Sequence, residues 1–358
     1  METFAACFSA MEDPRARNAR HDLLELVFVA LAAVLCGAED CTDMAAFARA
    51  KLDFLRQVVK LEHGPPSHDT FSRVFRRLAP EPFEAAFAQF TAAFAGALKG
   101  VVAIDGKALR GAYERGCRAS PLHLVNVWAA EARLVIGQRL APGRNEVLGA
   151  QQALALLSLK GCIVTADALH CQRDHASYLH QRGAGFVFTV KHNQPGLFAA
   201  LDALPWTDTP VAHRQTDRGH GRITTRTIQT LPAPPDLPFP HVDQVWLIER
   251  YVTDLTGTPT SAIAALGVTN LHTTQAAPAD IARLVRDHWG VESLHWLRDT
   301  VYREDHSRAR TRSGPRVMAG LRNLAVGAHH LAGRRDITEA SREAGRVMHR
   351  PFKILNLA

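Results

Sequence analysis

Two short apolar segments, each ending on an aspartate, constrain the fold of this chain more than any other feature. They are Val101–Asp105 and Cys162–Asp167, and both are rich in β-branched residues. A brief continuous apolar run is typical of a strand buried on both faces, as in a parallel sheet. Functional groups collect at the carboxyl edge of such strands. We therefore expect two parallel strands of one sheet that carry Asp105 and Asp167 at the same edge.

The two aspartates also indicate a chemistry. Neighbouring carboxylates repel each other unless a cation or a shared proton lies between them, so the pair favours a metal site. The alternative is that either aspartate caps a helix that follows its strand. A helical pattern at Leu148–Leu159 lies between the two segments, as a crossover between strands of one sheet would.

From residue 100 to residue 195, the pattern predicts an α/β order of strand, strand, strand, helix, strand, helix, strand. This order is typical of a ribonuclease-H-like mixed sheet flanked by helices, and we take these residues as the first part of a core. The predicted elements after the first strand are a hairpin of Leu122–Trp128 and Leu134–Leu140, the crossover helix, the Asp167 strand, a helix around Arg173–Arg182 and a strand at Gly185–Lys191.

Residues 1–99 predict an all-helical N-terminal domain. His21–Cys36 reads as a helix buried nearly all round, and Thr42 is the expected cap of a second helix that reaches about Lys60. Ser67 is the expected cap of a short basic helix, His68–Arg77, and a further helix follows at Glu81–Leu98. The basic helix is similar to the recognition helix of a helix-turn-helix, which would make this a DNA-binding domain. The alternative is a bundle helix with a solvated basic face.

Residues 196–260 predict a β-rich insertion. Five prolines in Leu231–Pro240 exclude a helix or a central strand there. Strand-like pieces at Ile223–Thr230 and Gln244–Tyr251 flank this segment, and a strand near Ala262–Val268 closes the insertion.

The second part of the core is residues 261–332, and a long helix opens within it at Pro278. Its apolar stripe returns at Glu292, within about 20° of Ile281. A carboxylate on a buried stripe is costly unless it is paired, so Glu292 either meets an arginine or helps Asp105 and Asp167 to hold a metal. Another helix covers about Pro315–Leu331, and residues 333–358 are a C-terminal tail. Five arginines lie just before this helix or at its start. They either form a solvated surface or contact phosphate: Arg303, Arg308, Arg310, Arg312 and Arg316.

Charge and cysteine content narrow the classes of partner and compartment. The net charge is +7, which favours a polyanionic partner, nucleic acid first. The six cysteines form no CxxC pair, and the apolar run Leu26–Cys36 is too short to cross a bilayer. We therefore expect a cytoplasmic protein in a reducing compartment, with no membrane partner.

Seven sequence motifs in one order give a specific resemblance. Together they resemble the bacterial DDE insertion-sequence transposases of the IS-four group, in the sub-family that includes the H-repeat-associated proteins. The resemblance covers about residues 10–332. The motifs are Pro66–Phe71, Asp105–Gly111, Asp167–Gln172, Val190–Pro195, His220–Ile223, His288–Trp296 and Leu297–Asp305.

The resemblance implies a transposase that cleaves DNA at transposon ends and transfers the strands into a target. Asp105, Asp167 and Glu292 stand at the positions of the three catalytic, metal-holding acids of the family. The expected cofactor is Mg²⁺, with Mn²⁺ as a substitute, in a two-metal arrangement in which Asp105 bridges the ions. The expected partners are the DNA of the ends and of the target, with a homodimer in the synaptic complex, in the bacterial cytoplasm beside the nucleoid.

Further residues are predicted to contact DNA, each with an alternative. Lys107 reaches a phosphate or only extends along the strand end. Asn193 positions the backbone or caps its loop. Trp289 stacks on a base or packs in the core, and His220 with Arg222 forms a phosphate-binding turn or a plain hairpin. The complete predicted set is Lys107, Arg110, Lys191, Asn193, Gln194, His220, Arg222, His288, Trp289 and Arg308.

The chain departs from the wider group around its third acid. Val285, His288 and Asp299 stand where that group has Tyr, Arg and Lys. Two other function classes compete with an active transposase: a nuclease on the same core, and a domesticated or inactive DNA-binding protein descended from an element. A hydrolase with a serine or cysteine nucleophile is poorly supported, because no Gly-x-Ser-x-Gly motif is present.

Overall fold

The computed structural model describes residues 2–16, 19–95, 100–114, 117–347 and 349–355. The helices within these ranges are α1 (Glu2–Phe8), α2 (Leu23–Leu35), α3 (Cys41–Ala50), α4 (Leu52–Leu55), α5 (His68–Arg77), α6 (Pro80–Ala95), α7 (Glu146–Leu154), α8 (Arg173–Gln181), α9 (Pro195–Asp202), α10 (Pro278–Asp287), α11 (Trp289–Thr300), α12 (Gly314–Leu331), α13 (Ile337–Arg346) and α14 (Arg350–Ile354). The strands are β1 (Gly100–Glu114), β2 (Cys117–Ala129), β3 (Leu134–Leu140), β4 (Cys162–Ala166), β5 (Gly185–Val190), β6 (His213–Gly219), β7 (Arg222–Pro232), β8 (Gln244–Asp254) and β9 (Pro259–Thr269).

The described strands form one mixed sheet with the order β3-β2-β1-β4-β5-β9-β8-β7-β6. β2 and β3 are antiparallel, whereas β1, β4 and β5 run parallel to one another. The predicted order of elements from 100 to 195 is confirmed, and so is the α/β, ribonuclease-H-like fold class with its β-rich insertion and its N-terminal helices.

The chain divides into two compact units. Unit 1 comprises Met1–Leu98, Asp105–Leu157 and Gly290–Ala358, and unit 2 comprises Lys99–Ile104 and Ser158–Trp289. The core of unit 1 is built around α2 and α12. Both helices are buried on nearly every side, because α12 packs against α2, α6 and β3. The prediction that the first long helix is buried all round is therefore confirmed.

The N-terminal helices differ from the prediction in one cap. Asp40, not Thr42, begins α3, because its extended backbone lets Oδ1 accept from the amides of Thr42 at 2.7 Å and Asp43 at 3.1 Å. The helix also ends at Ala50 rather than near Lys60. The predicted cap of α5 is correct, since Ser67 Oγ accepts from the Thr70 amide at 3.2 Å.

The β-rich insertion extends the sheet of unit 2 instead of folding beside it. β9 pairs antiparallel with both β5 and β8, so it joins the parallel strands to the meander β6-β7-β8. β7 runs two residues into the proline-rich segment and ends at Pro232. β6 pairs with β7 no further than Ile228, so Pro232 lies where β7 has lost one neighbour and a missing N–H costs no ladder hydrogen bond.

None of the described helices combines the length and the apolar character that crossing a membrane requires.

Candidate active site

Asp105 and Asp167 follow a register pair of the sheet. β1 and β4 pair in parallel, and Ile104 is the partner of Ala166. Each aspartate is the next residue along its chain, as the two apolar segments predict. However, β1 does not end on Asp105. It continues to Glu114, because β1 is also hydrogen-bonded to β2 on its other side.

Asp167 lies at the end of its strand and is exposed. Its Oδ1 accepts from the Leu169 amide at 3.0 Å, which caps the short 3-10 helix Ala168–His170. The capping alternative is thus correct for Asp167. An exposed carboxylate is not desolvated by the fold, so capping and metal binding are compatible uses of its oxygens.

Asp105 is partly buried and is held by His295. The carboxylate accepts from the Gly106 amide at 2.9 Å, and its Oδ2 lies 3.4 Å from His295 Nδ1. His295 is in α11, so a helix distant in sequence sets the orientation of the Asp105 side chain. Sequence reasoning gave His295 no role, although it lies one helical turn after Glu292 within the His288–Trp296 motif.

A buried amide network determines which nitrogen of His295 carries the proton. Asn126 Oδ1 accepts from Arg298 Nη1 at 3.3 Å and from Asn323 Nδ2 at 3.1 Å. The Nδ2 of Asn126 therefore faces His295 Nε2, at 3.4 Å, as a donor. Nε2 is then the unprotonated nitrogen, and the proton on Nδ1 points to Asp105.

Glu292 lies on the same face of α11 as His295. The two residues are three apart, which makes them neighbours on a helix surface. Four residues after His295, Asp299 contacts Lys107, two residues beyond Asp105 on β1. The contacts of α11 thus follow β1 in order, from His295 at Asp105 to Asp299 at Lys107.

The predicted burial of Glu292 is wrong. The long helix is interrupted at His288 into α10 and α11, and the buried positions of α11 are Val291, Leu294 and Arg298. Glu292 is exposed instead, so no buried arginine has to neutralise it.

Lys107 is buried and forms an ion pair. Its Nζ lies 2.6 Å from Asp299 Oδ2, and Lys107 is only 7% exposed. It neither extends into solvent nor offers a free ammonium to a phosphate in this structure. Asp299 stands where the wider group has a lysine. In this chain the lysine is Lys107 on β1, and Asp299 is its partner.

A fully buried charge network supports this face of α11. Arg298 Nε donates to Glu304 Oε2 at 2.8 Å, and Arg322 Nη1 donates to Glu304 Oε1 at 3.0 Å. Burial alone would raise the pKa of Glu304, but the two guanidinium groups lower it to about 2. Because Arg298 also donates to Asn126, the network fixes the amide that orients His295.

Gly106 leaves room for a second acid next to Asp105. A Cβ at Gly106 would overlap the carboxylate of Glu146, at the start of α7. Glu146 Oε1 lies 3.0 Å from His123 Nδ1, and both side chains are mostly buried. The glycine of the Asp105-Gly106-Lys107 motif therefore allows the Glu146 side chain to approach the backbone of β1 closely.

Gly106→Ala is expected to expel the Glu146 carboxylate and break its contact with His123, at a cost of roughly 1–3 kcal/mol. In a Glu146→Ala background the same substitution should cost less than about 0.5 kcal/mol, since the obstructing group is gone. Urea denaturation of the four proteins in this cycle measures the coupling. Equal costs of Gly106→Ala in both backgrounds would contradict the packing argument.

In unit 2, His288 lies beside the Asp167 loop. Its Nδ1 is 3.2 Å from Thr165 Oγ1, two residues before Asp167. Burial lowers the pKa of His288, and the Asp167 carboxylate partly opposes this shift. His288 is thus a neutral interior group here rather than an exposed phosphate ligand.

Two buried histidines lie behind the same loop. His170 and His175 are 0% exposed, and their rings pack edge to face at 5.7 Å. Burial lowers the pKa of His170 to about 4 and that of His175 to about 3. Within the described residues, none of their four ring nitrogens has a hydrogen-bond partner.

The stability of the protein is therefore expected to fall as the pH drops from 6.5 to about 4.5. The unfolded chain binds protons on these histidines in that window and the folded chain does not, so each costs about 1.4 kcal/mol per pH unit. His175→Phe, which suits the neighbouring ring of Phe188, should flatten the dependence, whereas exposed His306→Gln should not. Urea midpoints at several pH values test this, and a wild-type slope retained by His175→Phe would refute it.

The predicted DNA-contact residues of unit 2 occupy different environments. Lys191, Asn193, His220 and Arg222 are exposed, and Trp289 is 56% exposed with the Arg250 guanidinium 5.9 Å from its ring centroid. The core interpretation of Trp289 is therefore wrong.

Two of these predictions fall on loops with defined local contacts. Asn193 Nδ2 donates to Ala168 O at 2.6 Å, which ties the loop after β5 to the Asp167 loop. Gln194 adds a bond to Gln172 at 2.9 Å. His220, at φ 51°, and Gly221, at φ 71°, form the two-residue turn of the β6–β7 hairpin, so the predicted tight turn is present and its phosphate contact stays a prediction.

The arginine cluster of unit 1 is not one surface. Arg110 and Arg308 are exposed, and Arg110 lies 3.5 Å from Asp305. Arg316 is buried instead, and it donates to Glu81 at 3.0 Å and to Glu84 at 2.8 Å. Its inclusion in a solvated cluster is wrong because its acidic partners, in α6, are far away in sequence.

Across the residues that the structure describes, no three or more His, Cys, Asp or Glu side chains are arranged to hold a metal ion. The donor set of the three candidate acids nevertheless has the chemistry that a hard cation requires, since all its atoms are carboxylate oxygens. Both exposed members, Asp167 and Glu292, are accessible to a cation from solvent.

Comparison with known proteins identifies the family. The model of the transposase DDE domain matches residues 96–327, and that of the DDE_Tnp_1-associated domain matches residues 5–91.

An uncharacterized protein in the dhlA 3' region of Xanthobacter autotrophicus is 36% identical over 62% of this chain and 78% of its own. Two relatives from Escherichia coli K12 are named H repeat-associated putative transposase. YbfD is 32% identical over 59% of this chain and 87% of its own, and YhhI is 29% identical over 86% and 84%. This chain therefore belongs to the transposase DDE domain family.

Proposed function

We propose that this protein is an active DNA transposase that cleaves phosphodiester bonds at the ends of a mobile element and joins those ends to a target DNA. Asp105, Asp167 and Glu292 are its catalytic acids. The observation that carries this proposal is the register pair Ile104–Ala166, because it makes Asp105 and Asp167 the next residues on two adjacent parallel strands. Membership of the transposase DDE domain family supplies the reaction class.

The order of contacts along α11 supports Glu292 as the third acid. His295 contacts Asp105 and Asp299 contacts Lys107, so the helix follows β1, and Glu292 stands three residues before His295. Glu292 is exposed and sits in the first turn of its helix, where it is accessible to a ligand. A carboxylate there needs no compensation from the fold, which leaves its oxygens available for a cation.

The three carboxylates would hold divalent metal, Mg²⁺ in the first place with Mn²⁺ as a substitute. Bound metal supplies an activated water and neutralises the charge of the leaving 3′-oxygen. Asp105 contributes an oriented carboxylate, because the proton on His295 Nδ1 and the Gly106 amide each approach one of its oxygens. His295 is thus a positioning residue for the first acid.

DNA is the proposed partner, and two copies of the chain are proposed to act together because a transposition event handles two ends. Among the residues predicted to contact DNA, the exposed ones keep that proposal: Arg110, Lys191, Asn193, His220, Arg222, Trp289 and Arg308. Lys107 is assigned to its ion pair with Asp299, and His288 to the interior beside Asp167.

The proposal is tested with the purified full chain and a linear DNA that carries the sequences flanking its coding region. Incubation with Mg²⁺, and not with EDTA, should release 3′-hydroxyl ends at fixed positions. Labelled pre-cleaved ends should then become covalently joined to a plasmid. Cleavage without joining would assign a nuclease, and DNA binding without either reaction would assign an inactive element-derived protein.

A further inference from the structure

The outer face of α5 carries arginines that no acid neutralises. Its inner face is fixed by Phe71, Val74 and Phe75, which are at most 1% exposed. Arg73 and Arg77, four residues apart, are therefore neighbours on the opposite, exposed side of the helix.

The acid nearest to these arginines along α5 is Asp69, four residues before Arg73, and its ion pair is with His68 at 3.5 Å. Within the described part of the chain, no carboxylate forms an ion pair with Arg73 or Arg77, nor with the nearby Arg20 and Arg312. Other arginines of unit 1, such as Arg316, are fully paired with acids. An array of unpaired guanidinium groups raises the local positive potential, which favours an anion from solution.

Two adjoining cavities lie along this face of α5. One, of about 500 Å³, is lined by Arg20, His21, Thr70, Arg73 and Arg77 together with Arg15, which is paired with Asp13 at 2.6 Å. The other, of about 330 Å³, shares Arg73 and Arg77 and adds Arg76, Thr311 and Arg312. None of the described residues that line either cavity carries a carboxylate. We call this continuous surface the α5 groove.

The electrostatics of His21 agree with a cationic groove. Burial lowers the pKa of His21, and the neighbouring charges of His63, Arg15 and Arg20 lower it further, while Glu25 opposes them. The hydroxyl groups of Thr70 and Thr311 add neutral donors, so the lining combines guanidinium forks and hydroxyls, which bind phosphate oxygens.

We propose that the α5 groove binds the phosphate backbone of double-stranded DNA, with Arg73, Arg77 and Arg312 as the phosphate ligands. The choice of DNA rests on the proposed function, whereas the anionic character of the ligand rests on the groove itself. The groove joins the N-terminal helices to the Thr311–Arg312 segment before α12, so both parts of the sequence contribute to one binding surface. It is separate from the Asp105 site in its residues and in its chemistry, since it consists of cations.

A DNA duplex suits this surface better than a small anion does. The groove is larger than a site for one phosphate, because Arg73 and Arg77 line two cavities of about 500 and 330 Å³. Duplex DNA presents closely spaced phosphates along its length, which can engage several arginines at once and release a counterion for each. A single phosphate would meet only part of the array.

The test measures binding of a fluorescein-labelled DNA duplex of arbitrary sequence by fluorescence anisotropy, with EDTA present so that no cleavage occurs. The groove variant is Arg73→Gln/Arg77→Gln/Arg312→Gln. The control is Arg335→Gln/Arg342→Gln/Arg346→Gln, which loses the same charge from exposed positions at the other end of unit 1's sequence. Loss of three phosphate contacts should lower the slope of log K against log salt by about 2.7. The wild type should then weaken about 40-fold more than the groove variant between 50 and 200 mM salt.

A second measurement does not depend on any variant folding correctly. DNA should protect Arg73 and Arg77 of the wild-type protein from modification by phenylglyoxal, as mass spectrometry detects it, and should leave Arg335 unprotected. Equal salt slopes for the groove and control variants, or no protection, would overturn the proposal. So would equal protection by single-stranded DNA or RNA, or no binding of the duplex by the wild type.

The outcomes also separate this proposal from the proposed function. If the wild-type protein binds duplex DNA through these arginines but never cuts it, the groove proposal is retained and the transposase proposal is rejected. If the protein cuts DNA in Mg²⁺ and binds DNA equally well with or without the three arginines, the transposase proposal is retained and the groove proposal is rejected.

Discussion

Replacing Glu292 with glutamine is expected to lower the rate of Mg²⁺-dependent DNA cleavage by about 10³-fold or more. A bound metal stabilises the charge of the transition state by several kcal/mol, and a neutral amide cannot replace the carboxylate that holds the metal. Glu292 is exposed, so the substitution should leave stability within about 0.5 kcal/mol. Cleavage rates and urea midpoints measured on the same preparations separate the two effects.

Asp105→Asn and Asp167→Asn are expected to give the same loss. Asparagine retains the ability to cap the turn after β4, so Asp167→Asn should not unfold that loop. The matched control is Glu131→Gln, which changes an exposed acid in the turn between β2 and β3. A Glu292→Gln protein that still cuts element ends in Mg²⁺ would remove Glu292 from the site, and it would leave Asp105 and Asp167 to be judged by their own variants.

Glu304→Gln is expected to produce the largest loss of stability of any single substitution discussed here. The change leaves the buried guanidinium groups of Arg298 and Arg322 without a counter-charge, which costs about 3–5 kcal/mol. For a unit of this size, the melting temperature should fall by roughly 10 °C. The control is Glu39→Gln, whose exposed pair with Arg303 at 3.7 Å should be worth about 0–1 kcal/mol.

The same network predicts an acid limit of stability. The pKa of Glu304 is lowered from 4.5 to about 2, so its contribution is complete above pH 4.5 and is lost as the pH falls toward 2. This loss is on the order of 3 kcal/mol. Urea midpoints of wild type and Glu304→Gln should converge below pH 4.5, and parallel curves would show that Glu304 is not the titrating group.

Local patterns predicted the sheet well because strands of this kind are determined by short apolar runs. The hairpin β2–β3, the parallel strands β4 and β5 and the insertion strands β7 to β9 all lie where the sequence places them. The neighbouring backbone positions of Asp105 and Asp167 followed from the two apolar runs, because Ile104 and Ala166, the residues before them, are partners in the parallel pair of β1 and β4. The end of β1 could not be read in the same way, since its continuation depends on hydrogen bonds to β2.

Helix α11 shows where local reasoning fails. Periodicity along one long helix predicted Glu292 on the buried stripe, but Glu292 is exposed, and the buried positions of α11 are Val291, Leu294 and Arg298. The sequence carries a weak local signal for the interruption at His288, because Gly290 follows two residues later and glycine disfavours a helix interior. The roles of His295 and Asp299 were likewise invisible, since each depends on a partner on β1 nearly two hundred residues earlier.

By itself, the sequence determined the family, the order of strands and helices from residue 100 to residue 195, and the two aspartates that follow the register pair of β1 and β4. These features depend on residues that are adjacent in the chain, or on motifs that stand in a fixed order. Only the tertiary structure decided the environment of the charges: Lys107 paired and buried, Arg316 withdrawn from the surface, Glu292 exposed, and Arg73 and Arg77 left without acids. The reason is electrostatic, because the free energy of a charge depends on its burial and its partners, and folding brings those partners from distant parts of the chain.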